Sequence, residues 1–167
     1  VKWKTLSETE VPDILEFVKV AAAAGQAVHV GTDSLQDGRY TRFITVVAVL
    51  TPSKGGRAAY SQEIVKRMDS LRERLMKEVW RSVELGMLLA PLLPENVQLN
   101  VHVDANPNEK YMSSKYVQEL VGLVVGQGFK AVIKPDSWAA THAADHIVRV
   151  KSKTPRHLRV VGGRKAS

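Results

Sequence analysis

Two aspartates in this sequence stand where apolar runs give out. Asp33 closes the run Ala27 to Asp33 (AVHVGTD), and Asp104 closes Val97 to Asp104 (VQLNVHVD). A carboxylate leaving an apolar strand is costly to bury without a partner. Two of them brought together repel unless a cation lies between them. Their oxygens are hard donors suited to Mg2+ or Mn2+, ions that keep positions open for water and phosphate. A single Asp at such a place is more commonly a turn or helix cap, so the metal reading depends on the two being adjacent.

Other groups could join them. In the predicted long helix, from about Ser70 to Leu89, the apolar face runs Leu71, Leu75, Val79, Val83 and Met87, with Glu78 and Ser82 beside it. Glu73 lies three residues after Ser70 and reads as the acid of a capping box; Glu78 has no such role and is the preferred helix acid. Nearer the C-terminus, His142 and Asp145 are three apart on one helix face, with Arg149 a turn further on. Asp136 is a further candidate ligand, or else a helix cap. Lys115 and Lys134 could meet phosphate, and each could equally be a solvated charge. His29 and His102 share strand faces with Asp33 and Asp104 but read as structural.

The elements that must position these groups follow from punctuation and periodicity. Ser7 is read as the N-cap of a first helix with Pro12 in its first turn, ending at Gly25. Ala27 to Asp33 is a short strand, and Asp37-Gly38 marks a turn into the β-branched strand Thr41 to Leu50. A second turn leads into a third strand, Arg57 to Arg67. After the long helix come a fourth strand ending at Asp104, a helix through Val125, a fifth strand Lys130 to Lys134, and a last helix from Trp138 to about Val150. A three-stranded meander followed by strands alternating with helices requires parallel crossovers. The expected fold is therefore α/β, a five-stranded mixed sheet flanked by helices. The first strand should lie between the meander and the fourth strand, so that Asp33 and Asp104 meet at strand ends, where open α/β sheets gather their ligands.

Composition sets the bounds. The chain has 167 residues, enough for one domain with a full core. It lacks cysteine, which excludes disulfides, zinc–thiolate sites and cysteine nucleophiles. No apolar run approaches the roughly 18 residues of a membrane span, and Val1-Lys2-Trp3-Lys4 lacks a leader's apolar stretch. A cytoplasmic location and no membrane partner are expected. Of 24 Lys and Arg residues, seven lie from Arg149 onward without a single acid, and the remaining 17 balance the 17 Asp and Glu. The expected division is a domain over residues 1–150 and a basic tail over 151–167. Such a tail is either a solubilising end or a polyanion-binding arm.

Three segments resemble a known family: GTDS at the first strand, HVDANPNEKYMSSKY around the fourth, and IKPDSWAATHAADHIV near the end. Together they resemble the YkuK-type branch of the ribonuclease H-like superfamily, over about Val28 to Val148. The resemblance implies an acidic cluster holding two divalent ions that activate water against a phosphodiester. Asp33 and Asp104 match its first- and fourth-strand acids. His142 and Asp145 resemble the C-terminal-helix ligands of RuvC-type junction resolvases. The expectation is an Mg2+- or Mn2+-dependent endonuclease for structured DNA or an RNA–DNA hybrid. Asp33, Asp104, Asp145 and Asp136 are its candidate ligands, and His142 and Glu78 assist. Lys115, Lys134, Arg149, Lys151, Lys153 and Arg156 are the candidate nucleic-acid contacts. A homodimer is compatible with the sequence. The alternatives are a nucleic-acid-binding module of the same fold with little or no catalysis, and an unrelated α/β protein whose strand-end acids are caps.

Overall fold

The chain opens with a small hairpin, β1 (Trp3–Thr5) and β2 (Glu10–Val11), where the sequence suggested a helix start. Pro12 explains the difference, because the residue before a proline is pushed to extended backbone. Val11 therefore pairs with Trp3, and the helix waits for the next capping residue. In this computed structural model, which describes residues 1–23, 27–51, 55–134 and 136–137, that residue is Asp13. Its carboxylate accepts from the Leu15 and Glu16 N–H groups at 2.9 and 3.1 Å, opening α1 (Ile14–Ala22). Ser7 sits instead in the hairpin turn, its hydroxyl 2.9 Å from that of Thr5.

Three long strands follow: β3 (Ala27–Asp37), β4 (Tyr40–Thr51) and β5 (Gly55–Lys66). They form the expected antiparallel meander. Gly38, at φ 58°, makes the tight turn between the first two. Helix α2 (Leu71–Leu89) leads to β6 (Gln98–Val103), and a 3-10 turn at Met112–Tyr116 runs into α3 (Val117–Gly126) and then β7 (Lys130–Ile133). The sheet order is β2-β1-β5-β4-β3-β6-β7, with β3, β6 and β7 mutually parallel. Seven strands replace the expected five because of the N-terminal hairpin. As expected, β3 lies between the meander and β6.

Among the described residues, the three helices pack on the sheet face that carries Val28, Val30, Val47, Val101 and Val103. Helix α1 contributes Val18, Ala21 and Ala22, and α2 and α3 contribute Leu75, Val79, Val83, Leu120 and Val124. The face of α2 differs from the predicted one at its far end. Residues four apart advance about 40° around a helix of 3.6 residues per turn, so a 71-75-79-83-87 stripe drifts off the contact. Met87 is exposed, while Gly86 and Leu89 are buried in its place. At Gly86 a side chain would come within 3.3 Å of the Phe129 ring, so α2 lies close on its neighbours there. Each fully buried Val or Leu is worth roughly 1.5–3 kcal/mol. Leu75, Val79 and Val83 together hold α2 tightly enough to carry Glu78 inside with them.

Candidate active site

The parallel register builds the site. Gly31 of β3 pairs with His102 of β6, and His102 with Val132 of β7. Two residues further along come Asp33 in β3 and, just past the ends of β6 and β7, Asp104 and Lys134, in one row. Asp33 does not end its strand as expected. Pairing with β6 stops at Gly31, but pairing with β4 continues through Asp33↔Ile44 to Asp37↔Tyr40. Asp33 thus sits on a strand that outruns its parallel neighbour, with its β6 side open.

The opposite face of β3 positions the third acid. The Thr32 hydroxyl is 3.0 Å from that of Thr45 and 2.8 Å from that of Ser82, all three buried. This chain of hydroxyls fixes α2 against β3 and β4. One turn before Ser82, Glu78 is 5% exposed, with the Ser34 hydroxyl beside its carboxyl.

The three acids act on one another. Burial, and then the negative charge of Asp104, push Asp33 up from 3.8 to about 6. Only partial relief comes from the Ser34 N–H, which donates to Asp33 Oδ1 at 2.8 Å, and from Lys134. Glu78 is pushed from 4.5 to about 8, mainly by burial and further by Asp33 and Asp104; Ser34 and Arg74 oppose the shift. Lys134 forms an ion pair with Asp104 Oδ1. Burial alone would lower the lysine's pKa, but Asp104, Asp33 and Glu78 together raise it, so the ammonium is charged. Ser34 Oγ is buried beside Glu78 without an aligned hydrogen bond.

The histidines sit one step down the same face. His29 Nδ1 and His102 Nε2 are 2.8 Å apart with the rings edge-on. Burial, then its neighbour, lowers His102 to about 4, and burial, then Lys130, lowers His29. Neutral rings suit this contact, one nitrogen donating and the other accepting.

Not every candidate joins the cluster. Asp136 is exposed in the turn after β7, its N–H bonded to Ile133 O at 2.9 Å, and it is not among the groups acting on Asp33 or Glu78. Lys115 is exposed, its ammonium 5.1 Å from the centre of the Tyr116 ring. Glu73 stands in the first turn of α2, its N–H donating to the Ser70 hydroxyl at 3.3 Å. His142, Asp145, Arg149, Lys151, Lys153 and Arg156, with the predicted last helix and the tail, lie outside the described residues. Among the described residues, no three Asp, Glu or His side chains are grouped to hold an ion by themselves. Sequence reasoning missed Ser34, Arg74 and the bond from Thr32 to Ser82. It offered Lys134 as a phosphate contact or a solvated charge and did not foresee its pairing with Asp104.

No helix among the described residues is long and apolar enough to cross a membrane. The chain is 28% identical over 163 residues to the uncharacterized protein YkuK of Bacillus subtilis (strain 168), covering 86% of this chain and 95% of that protein. No solved structure matches it. The family described as ribonuclease H-like matches residues 10–149. The mixed sheet, its parallel crossovers and a match over most of the length agree, and the chain belongs to the ribonuclease H-like family.

Proposed function

We propose that this protein is a divalent-metal-dependent nuclease that hydrolyses phosphodiester bonds in structured DNA or an RNA–DNA hybrid. The observation that carries the reading is the row formed by Asp33 and Asp104 with Glu78 beside it. Burial, and then their mutual repulsion, raise Asp33 to about 6 and Glu78 to about 8. Strongly perturbed acids gathered in one place mark a functional-site candidate. The donor set fits a hard cation, because the carboxylates of Asp33 and Asp104 act directly on one another and the buried Ser34 hydroxyl oxygen beside them has no aligned hydrogen bond.

Asp33 and Asp104 would hold Mg2+ or Mn2+, with Asp145 as the candidate to complete the set. A bound ion would supply a more acidic water and neutralise charge on the phosphate. Glu78, pushed to about 8 mainly by burial, holds a proton at neutral pH, and a cation beside it would favour its release. His142 would assist proton transfer. Lys115, Arg149 and the basic tail would contact the phosphate backbone.

The test is a panel of duplex, hybrid, flap and four-way substrates, each with and without Mn2+. Cleavage should require the ion and should vanish in Asp33→Asn. A second reading, a nucleic-acid-binding module without catalysis, is favoured by one observation: Lys134 already neutralises Asp104. Binding to the panel with no cleavage at any Mn2+ concentration would select it.

A further inference from the structure

Lys134 occupies the position where a cation would bind. We infer that its ammonium is an exchangeable internal counter-ion, which holds Asp104 until a divalent ion displaces it and is then released toward the phosphate of a bound nucleic acid. This rests on the metal-site reading above.

Three observations support the exchange. First, the placement is fixed by backbone. Val103 pairs with Ile133, and the Lys134 N–H donates to Ala105 O at 3.4 Å, so the lysine is built into the acid row by strand register. Second, the lysine is tied to one acid: its ammonium pairs with Asp104 Oδ1, while Asp33 and Glu78 act on it through charge alone. Third, the lysine has a way out: its side chain is 39% exposed against 20% for Asp104. A flexible four-carbon stem lets the ammonium swing to solvent while its Cα stays fixed.

An ammonium and a divalent ion cannot share one carboxylate oxygen without strong repulsion. The protein without an ion therefore avoids an uncompensated acid cluster, and ion entry costs the energy of the displaced pair. The released ammonium would favour a phosphate near the site. Ion and nucleic acid should then each strengthen the other's binding, as linkage requires.

The test is a calorimetric Mn2+ titration of the whole chain as wild type, Lys134→Met and Lys134→Arg, followed by thermal melts of the same proteins. Removing one positive charge beside a doubly charged ion should tighten Mn2+ binding by roughly tenfold or more. Lys134→Met without Mn2+ should melt lower than wild type and gain more from the ion, and Lys134→Arg should restore the weaker affinity. If Lys134→Met melts lower but binds Mn2+ no tighter, the lysine is a fixed clamp and this inference is wrong, while the nuclease reading stands. If neither wild type nor Lys134→Met binds Mn2+, both readings fall.

Discussion

Asp33 and Asp104 stand in the same row of two parallel strands, each two residues beyond the last residue of β3 paired with β6, Gly31↔His102. Their environments nonetheless differ, because Asp104 has Lys134 as an ion-pair partner, whereas Asp33 has the Ser34 N–H and the Asp104 carboxyl itself as its close neighbours. The two Asn variants should therefore diverge. Both should lose any melting-temperature gain from Mn2+. Asp33→Asn should also stabilise the ion-free protein, since a carboxylate raised from 3.8 to about 6 costs on the order of 3 kcal/mol when ionised. Asp104→Asn strands a lysine and should not stabilise. Thermal melts with EDTA or Mn2+ check both. Lower melting of Asp33→Asn together with no Mn2+ effect on wild type would make the acid an ordinary cap.

The pH dependence follows from the same shifts. Asp33 and Glu78 bind protons more tightly in the folded state than when unfolded. Their contribution is fully present below the unfolded carboxylate range and is lost as pH rises through about 6 and then about 8. His102 works in the opposite sense. Its folded value near 4 lies below 6.5, so its contribution is present above 6.5 and is lost as pH falls toward 4. Denaturation midpoints in EDTA should decline on the alkaline side, and Asp33→Asn or Glu78→Gln should flatten that limb alone. An unchanged alkaline limb in both variants would show that the acids are not coupled as described.

How far the sequence carried this reading depends on the kind of information each element needed. The strands and α2 were legible because β-branched runs, Asp37-Gly38 and Ser70 are local signals. The meeting of Asp33 with Asp104 was legible because topology rules restrict how such strands pair. The N-terminal hairpin was missed because two- and three-residue strands carry no periodicity, and Ser7 imitates a cap. Met87 was misplaced because a four-residue spacing looks helical while drifting off the buried face. The pairing of Lys134 with Asp104 needs the β6–β7 register, which follows from side chains packing across the sheet and not from either strand alone.

The helix acid can be identified by comparing two residues on α2. Ser70 caps the helix through the Glu73 N–H, so Ser70→Ala should cost about 1 kcal/mol and leave any Mn2+ response intact. Glu73→Gln should do little to either. Glu78→Gln should stabilise the ion-free protein at alkaline pH and impair cleavage. Cleavage abolished in Glu73→Gln but kept in Glu78→Gln would reverse the assignment.

The basic segment is proposed to act on affinity and not on chemistry. Deleting residues 151–167 should weaken binding to duplex DNA at low salt, and the log–log salt slope should fall by about 0.9 for every phosphate that the segment had neutralised. Filter binding across a salt series measures this directly. Unchanged affinity and slope would make the segment an inert extension.

The hydroxyl chain beneath the site gives a prediction in which stability and function separate. Thr32 meets both Thr45 and Ser82, and all three are buried. Thr32→Val keeps the shape but leaves Ser82 without that partner in the interior, a cost of about 1–3 kcal/mol. Removing the Ser82 hydroxyl as well takes away the stranded group, so Thr32→Val with Ser82→Ala should recover part of that stability. The function should not recover with it. Ser82 lies one turn from Glu78, and its bond to Thr32 is what fixes that turn against β3 and hence against Asp33. The double variant should therefore melt closer to wild type than Thr32→Val does, yet bind Mn2+ and cleave no better than the single variant. Denaturant titration and Mn2+ calorimetry on the three proteins distinguish the outcomes. Metal affinity that rises and falls with stability across the set would mean that the hydroxyls serve the fold alone.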